Sequence, residues 1–396
     1  MQFVKTEDLK PAMRLAKPVY NKNGVLLYDR NSKLTLPGIN SISNFGLIGI
    51  YILEPAEPLP PLSREDIEFE QSQTIFLFKL REAYDQIKKR KKMDNFHLLV
   101  QDIESSYGTL NHRVNFNQNL RSADDFVYKH SISTAILSAL IGHTMNLSHS
   151  ELSSLIAASL LFDFGYQFVP RPIIEKGNDL VKDDEEIIWK NLEKGLSYLD
   201  MYKTDFGFMP KAHNIIQYYI MSQSENNTLK NPDESLLKLA DILRVADNFD
   251  LMTGMNIGHK PESEIMAMRH LEREPDFFNE DVVSALAASI HIVPMGASVD
   301  LSTGDKGIVL EENPEQYIKP LILRISNNQI YDLSNPTISR HIHIIDIMKT
   351  MDNRIEIDEE TLKHFKADTR IIETTNKFRK AFGQNKNSTP KDGIRI

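Results

Sequence analysis

Any chemistry this chain performs must be built from imidazoles, carboxylates, hydroxyls and amines, because its 396 residues include no cysteine. Disulfides, thiolate zinc sites and cysteine nucleophiles are thereby excluded, and a bound metal would need histidine and carboxylate ligands. Two histidines stand close together, His341 and His343 in Arg340-His341-Ile342-His343-Ile344, and on a strand they would share one face because side chains alternate. A pair of imidazoles can seed a metal site, but no third ligand is evident beside them, so ordinary surface histidines are expected. The sequence contains no phosphate-cradling glycine loop, no Gly-x-Ser-x-Gly elbow and no dinucleotide-binding glycine fingerprint. One basic run, Lys88 to Lys92, lies in a polar stretch with little aromatic interleaving, which fits a solvated helix face better than a contact surface.

The elements that would position such groups follow from composition and periodicity. A hydrophobic content of 41% with 26% charged residues is ordinary for a globular chain, and the length allows two or three domains. The formal charge of -9 argues against nonspecific attraction to nucleic acid or to anionic membrane. No run approaches the roughly 18 apolar residues of a membrane span. The opening MQFVKTEDLKPAM lacks the apolar core of a signal peptide, so a cytoplasmic protein without membrane insertion is expected.

Residues 1–62 read as a small β-containing N-terminal domain and a Pro-rich linker. Val19 to Leu27 form a candidate hairpin around Asn23-Gly24, and Pro55, Pro58, Pro60 and Pro61 mark the linker. A helical connector is expected over 63–121, with Ile67, Ile75, Leu77, Leu80, Tyr84 and Ile87 near helical spacing. That stripe must be buried somewhere, either against the rest of the chain or in a homodimer. Residues 122–292 are dense in helix formers, and Ser148 is a candidate N-cap before an apolar run. The period changes near Pro294, and Ser298 to Leu310 reads as a strand pair, so 293–350 is expected to be a C-terminal β-containing extension. The signal weakens beyond Ser326, and the tail 351–396, which contains GQNKNSTPKDG, is expected to be partly disordered. The expected class is mainly α, with a small β-containing N-terminal domain and a short C-terminal β segment.

Two stretches carry a resemblance: KHSISTAILSALIGHTMNLSHSELSSLIAASLLFDFGYQFVP from Lys129, and LLKLADILRVADNFDLMTG ending at Gly254. They are similar to the HD-GYP branch of the HD phosphohydrolases, and the N-terminal segment is similar to the small domain that often precedes HD-GYP domains in bacterial proteins. The resemblance implies an all-α, HD-type helical core that holds divalent ions on His and Asp side chains to activate water against a phosphodiester. It places retained ligand positions at His130, Asp163 and Asp247. Four further ligand positions are replaced: Phe162, where the family has the His of His-Asp, Asn191, Tyr218 and Tyr219. Nothing near Met221 to Asn227 resembles the Gly-Tyr-Pro of the family name.

The resemblance therefore implies a bacterial cyclic di-GMP signalling context with most of the metal ligands missing. The expected function is a catalytically inactive regulatory or scaffolding protein acting through protein partners, with no catalytic residue and no cofactor. Two alternatives stand beside it. One is a sensor that binds cyclic di-GMP without cutting it, using Arg171, Lys176 and Lys190 with a tyrosine stacked on a base. The other is a reduced phosphodiesterase with one divalent metal ion on His130, Asp163 and Asp247. The surviving carboxylates need either hydrogen bonds, for example from Tyr218 or Tyr219, or a proton.

Overall fold

The computed structural model describes residues 2–20, 26–45, 47, 49–53, 64–116, 118, 121–222, 233–255 and 260–347. The chain opens with β1 (Gln2–Lys5), β2 (Arg14–Leu15), β3 (Val19–Tyr20), β4 (Leu26–Tyr28), α1 (Leu36–Asn44) and β5 (Gly49–Leu53). Strands β1, β5 and β2 form an antiparallel sheet with β5 at its centre, and β3 pairs with β4. The candidate hairpin is thus present as a strand pair, while its Asn-Gly turn lies outside the described residues, as does the Pro-rich linker. A separate apolar cluster holds this unit together, with Leu15, Val19, Ile42, Ile50 and Ile52 buried.

Next come α2 (Arg64–Lys88) and α3 (Phe96–Tyr107). Leu77, Leu80, Tyr84 and Ile87 of α2 are buried in the main core, where the helix packs on α3 and on the helices that follow. Most of the described stripe is therefore buried within the chain. Ile75 departs from that reading and is 55% exposed.

The helical core comprises α4 (Phe126–Thr144), α5 (His149–Leu161), α6 (Arg171–Ile174), α7 (Lys182–Leu199), α8 (Met209–Ser222), α9 (Glu234–Thr253), α10 (Glu264–Arg273) and α11 (Glu280–Ser289). Helix α4 is its axis. Every residue from His130 to Gly142 is buried, because α2, α3, α5, α9 and α11 surround the helix. Ser148 does cap α5: its hydroxyl accepts from the Glu151 amide, and the Glu151 carboxylate accepts from the Ser148 amide at 3.1 Å. Among the described residues no helix is long and apolar enough to cross a membrane.

The chain continues as β6 (Ser298–Leu301), β7 (Lys306–Glu311), β8 (Leu321–Arg324), β9 (Gln329–Asp332), α12 (Pro336–Ser339) and β10 (Ile344–Ile347). These strands form an antiparallel sheet in the order β10, β6, β7, β8, β9. Alternation sends Val299, Leu301, Val309 and Ile322 into the main core and Ile308, Leu310, Leu321 and Leu323 into a cluster on the other face. The sheet extends past Ser326, where the sequence signal had faded, because β9 and β10 are short strands completed by pairing with β8 and β6. The tail 351–396 lies outside the described residues.

Candidate functional site

His130 lies in the second turn of α4, facing α9. Asp247 and Asp250 stand three residues apart on α9, so both carboxylates occupy one helix face and flank the imidazole. The ring Nδ1 is 2.6 Å from Asp250 Oδ2, and Nε2 is 2.9 Å from Asp247 Oδ1. A carboxylate oxygen at each nitrogen favours a proton on each, and so the imidazolium form. Burial opposes that charge, but the hydrogen bonds to Asp247 and Asp250 outweigh it and raise the His130 pKa to about 10.

Asp250 is itself fixed from the other side. The fully buried Arg121, in the segment before α4, places Nη2 at 2.7 and 2.8 Å from the two Asp250 oxygens and 2.9 Å from Gln118 Oε1. Burial works against the Asp250 anion, yet Arg121 and His130 hold its pKa down to about 2. Gln118 Nε2 donates to Thr253 Oγ1 at 2.9 Å, and the Gln118 carbonyl accepts from Lys17 Nζ at 3.2 Å, which ties the N-terminal unit to the site. Gly254 makes room for the arginine, since a Cβ there would sit 2.9 Å from its guanidinium carbon. The Phe126 ring stacks 5.8 Å from His130 and lies under the Arg121 guanidinium at 5.5 Å.

Asp163 follows α5 on a 3₁₀ segment over Phe162–Phe168. Its Oδ2 is 3.6 Å from His130 Nε2, it makes no hydrogen bond to another described side chain, and its carboxylate is 13% exposed. Burial, partly offset by His130 and reinforced by Asp247, raises its pKa to about 7. The segment is pinned by a backbone crossing between Gly165 and Gly195 of α7. A Cβ on Gly195 would meet Gly165 Cα and N at 2.6 Å.

The four replaced positions behave differently from one another. Phe162 is buried and meets His130 and Tyr219 edge-on at 5.8 and 5.6 Å. Tyr219 on α8 donates its hydroxyl to Asp247 Oδ2, and burial holds its pKa well above that of a free phenol. Tyr218, half-buried, does not line the site. Asn191 turns back along α7, donating Nδ2 to the Ile187 carbonyl at 2.8 Å. The structure thus brings His130, Asp163, Asp247, Phe162 and Tyr219 together and leaves Tyr218 and Asn191 aside.

The aromatic replacements do not close the site. A cleft of about 280 Å³ remains, with Asp163, Asp247, His130 and Tyr219 in its wall and Ile173, Leu180, Ile188 and Leu192 around them. Arg171, Lys176 and Lys190 stay outside that lining and are already paired with acids. Arg171 meets Asp124 at 3.0 Å and Glu175 at 2.6 Å, Lys176 meets Asp184 at 2.6 Å, and Lys190 meets Glu186 at 3.7 Å. His341 and His343 are exposed and precede β10, with Ser302 bonded to the backbone of both. They belong to a strand edge far in sequence from the core cluster.

Asp250, Arg121 and Gln118 are the members of the cluster that sequence reading missed. Asp250 was accessible through its spacing from Asp247. Arg121 and Gln118 carry no local signal.

No family model matches the chain. Among curated proteins it is similar to the cyclic di-GMP phosphodiesterase PA4108 of Pseudomonas aeruginosa, 22% identical over 203 residues that cover 51% of this chain and 49% of the relative. It is also similar to the cyclic di-GMP phosphodiesterase PdeB of Borreliella burgdorferi, 38% identical over 61 residues, or 15% and 16% of the two chains. Both likenesses support the resemblance of the helical core to HD-GYP-type domains. The aligned portions span about half the length of the first relative and less of the second. A solved structure, Bd1817, an HDG"Y"P protein from Bdellovibrio bacteriovorus, aligns with a TM-score of 0.42 at 13% identity, covering 72% of this chain and 97% of that one.

The donor set does not fit the multi-ion centre that an HD-GYP-type phosphodiesterase implies. Among the described residues no three His, Asp or Glu groups are spaced to hold an ion. An ion at His130 Nε2 must first displace its proton. The proton shared with Asp247 competes with such an ion.

Proposed function

We propose that this HD-GYP-type protein is catalytically inactive and acts as a regulatory or scaffolding module, through protein partners, in bacterial cyclic-dinucleotide signalling. The observation that carries the reading is the closed acid and imidazolium cluster. Both nitrogens of His130 are committed to Asp247 and Asp250, the second oxygen of Asp247 is taken by Tyr219, and Phe162 stands where an imidazole would be needed. Without an ion to acidify water, no group among the described residues is placed to generate a nucleophile against a phosphodiester. The signalling context rests on the likeness to two cyclic di-GMP phosphodiesterases.

A second reading, a phosphodiesterase with one divalent metal ion, has one observation in its favour. Asp250 holds Nδ1 of His130 as a carboxylate holds the outer nitrogen of a metal-bound histidine. Metal analysis of purified protein separates the two, together with cyclic di-GMP hydrolysis assayed with and without manganese. The proposal expects substoichiometric metal and background hydrolysis. One tightly bound equivalent with turnover that disappears in His130→Ala would overturn it.

A further inference from the structure

The consecutive cations Lys88 to Lys92 read in the sequence as a solvated helix face, and the fold gives them different surroundings. Only Lys88 belongs to α2. Residues 89–92 form the turn after it, and all five side chains are exposed. The turn is built as a helix cap, in which the Arg90 amide donates to the Ile87 carbonyl and the Lys91 amide to the Gln86 carbonyl, each at 2.9 Å. Arg90 takes the left-handed conformation that this cap requires, with φ of 52°, at a position where glycine is unstrained. Its guanidinium lies over the Tyr198 ring at 5.0 Å. Lys194 of α7 lies over Phe168 at 4.3 Å, and the centroids of the two rings are 5.0 Å apart, so α7 adds a sixth cation to the same face. The aromatic rings missing from the run itself are thus supplied by distant segments. The turn is also held in place, since the Lys91 carbonyl accepts from Tyr202 Oη at 2.8 Å and Met93, which follows the run, is fully buried.

Among the described residues none of the six cations is paired with an acid. The partial charge of about −0.5 at the C-terminus of α2 offsets only a small part of five positive charges. Like charges crowded on a fixed turn repel one another, and an anionic partner relieves that repulsion while meeting contacts that are already ordered. Size and surroundings select the partner. Five residues reach at most about 18 Å, and the chain as a whole carries -9 even with these cations counted. Because attraction is screened beyond roughly 8 Å at physiological salt, a long nucleic acid or a flat anionic membrane would extend past the turn onto an acidic molecule. A peptide of about five or six acidic residues ends where the cations end. Its carboxylates suit the groups present, with the Arg90 fork able to hold one of them through two hydrogen bonds and the lysines acting as point charges.

We infer that Lys88 to Lys92, with Lys194, form a docking surface for a short Asp- and Glu-rich segment of a protein partner. The inference deepens the regulatory reading above and rests on its claim that the module acts through protein partners. It asks nothing of the cleft or of the charge state of the acids there.

The test is fluorescence anisotropy of a labelled hexaglutamate peptide titrated with the full chain at low and high salt. Saturable binding that weakens as salt rises is expected. The combined substitution Lys89→Glu, Lys91→Glu and Lys92→Glu should lower affinity at least about tenfold, since three exposed attractions become repulsions. Lys10→Glu, Lys33→Glu and Lys182→Glu together make the same change in net charge at exposed sites elsewhere and should leave affinity within about twofold of wild type. Arg90→Gly separates docking from capping: glycine suits the left-handed turn, so the melting temperature should not fall while affinity drops about two- to fivefold. No saturable binding of hexaglutamate, equal losses in the two triple variants, or wild-type affinity in Arg90→Gly would each overturn the inference. Tighter binding of an oligothymidylate or of phosphatidylserine vesicles, lost in the Lys89, Lys91 and Lys92 variant, would overturn it by assigning the turn to nucleic acid or to membrane. Metal content and cyclic di-GMP hydrolysis of the wild type test the non-catalytic proposal separately, so the two failures are distinguishable.

Discussion

Replacing His130 by glutamine removes the titrating ring at the centre of the cluster and leaves a side chain that can still bridge toward α9. In the folded protein the ring pKa is raised from 6.5 to about 10, with the hydrogen bonds to Asp247 and Asp250 overcoming burial. A group whose pKa rises on folding binds its proton more tightly in the native state. Its stabilisation is therefore complete below about 6.5, falls as pH increases, and is gone once pH passes about 10. At 1.36 kcal/mol per pH unit, the gap sets an upper bound on the order of 4 to 5 kcal/mol. Relaxation and water entry around a buried ion pair reduce such values, and about 2 to 4 kcal/mol is expected. Urea unfolding of wild type and His130→Gln at pH 6, 8 and 10 measures it, because the difference cancels other titrating groups. The wild-type advantage should shrink steadily from pH 6 to pH 10. A difference that stays constant over that range, or an NMR titration placing the His130 ring near 6.5, would refute the imidazolium and the argument against metal binding built on it.

Other consequences are open to direct measurement. Asp163, with its pKa raised to about 7, carries a native-state penalty that grows as pH rises from the ordinary carboxyl value toward 7. Asp163→Asn should accordingly stabilise the protein by about 1 to 3 kcal/mol at pH 8 and by nothing measurable near pH 4, read from thermal melts. Phe162→Ala should cost about 3 kcal/mol, the low end for a buried phenylalanine, because the space it vacates opens into the existing cleft. Near-wild-type stability would show that the ring packs loosely. Phe162→His should destabilise without a manganese-dependent rise in melting temperature, since Tyr219 and the imidazolium of His130 still block the ion. Gly195→Ala forces a methyl against the Gly165 backbone and should cost about 1 to 3 kcal/mol in urea unfolding, with the loss concentrated in hydrogen exchange around residues 162–168.

Much of the local structure was legible without coordinates. The Ser148 cap, the all-round apolar character of α4 and the strand pair around Gly304 each follow from short-range rules of capping, periodicity and turn chemistry. His130, Asp163 and Asp247 were recognisable through a resemblance in which flanking residues agreed. The spacing of Asp247 and Asp250 also predicts a shared helix face, although nothing local reveals that both acids meet one imidazole.

Tertiary structure decided the rest, because it depends on contacts between residues far apart along the chain. Arg121 reaches Asp250 across 129 positions, and Asp250 in turn meets the imidazole of His130 on α4. The sequence alone raised hydrogen bonding or protonation as ways to keep the acids buried. The folded chain divides them: Tyr219 and His130 serve Asp247, while burial raises the pKa of Asp163 at the edge of a cleft. Phe162 and Tyr219 are bulky, yet the volume left beside them depends on how α6 and α7 stand off from α8 and α9. The sequence by itself determined which helices would form and which residue types they carry. Only the packing of those helices determined which acids meet one imidazole and where open space remains beside them, since burial and Coulomb energy depend on distance in space and not on distance along the chain.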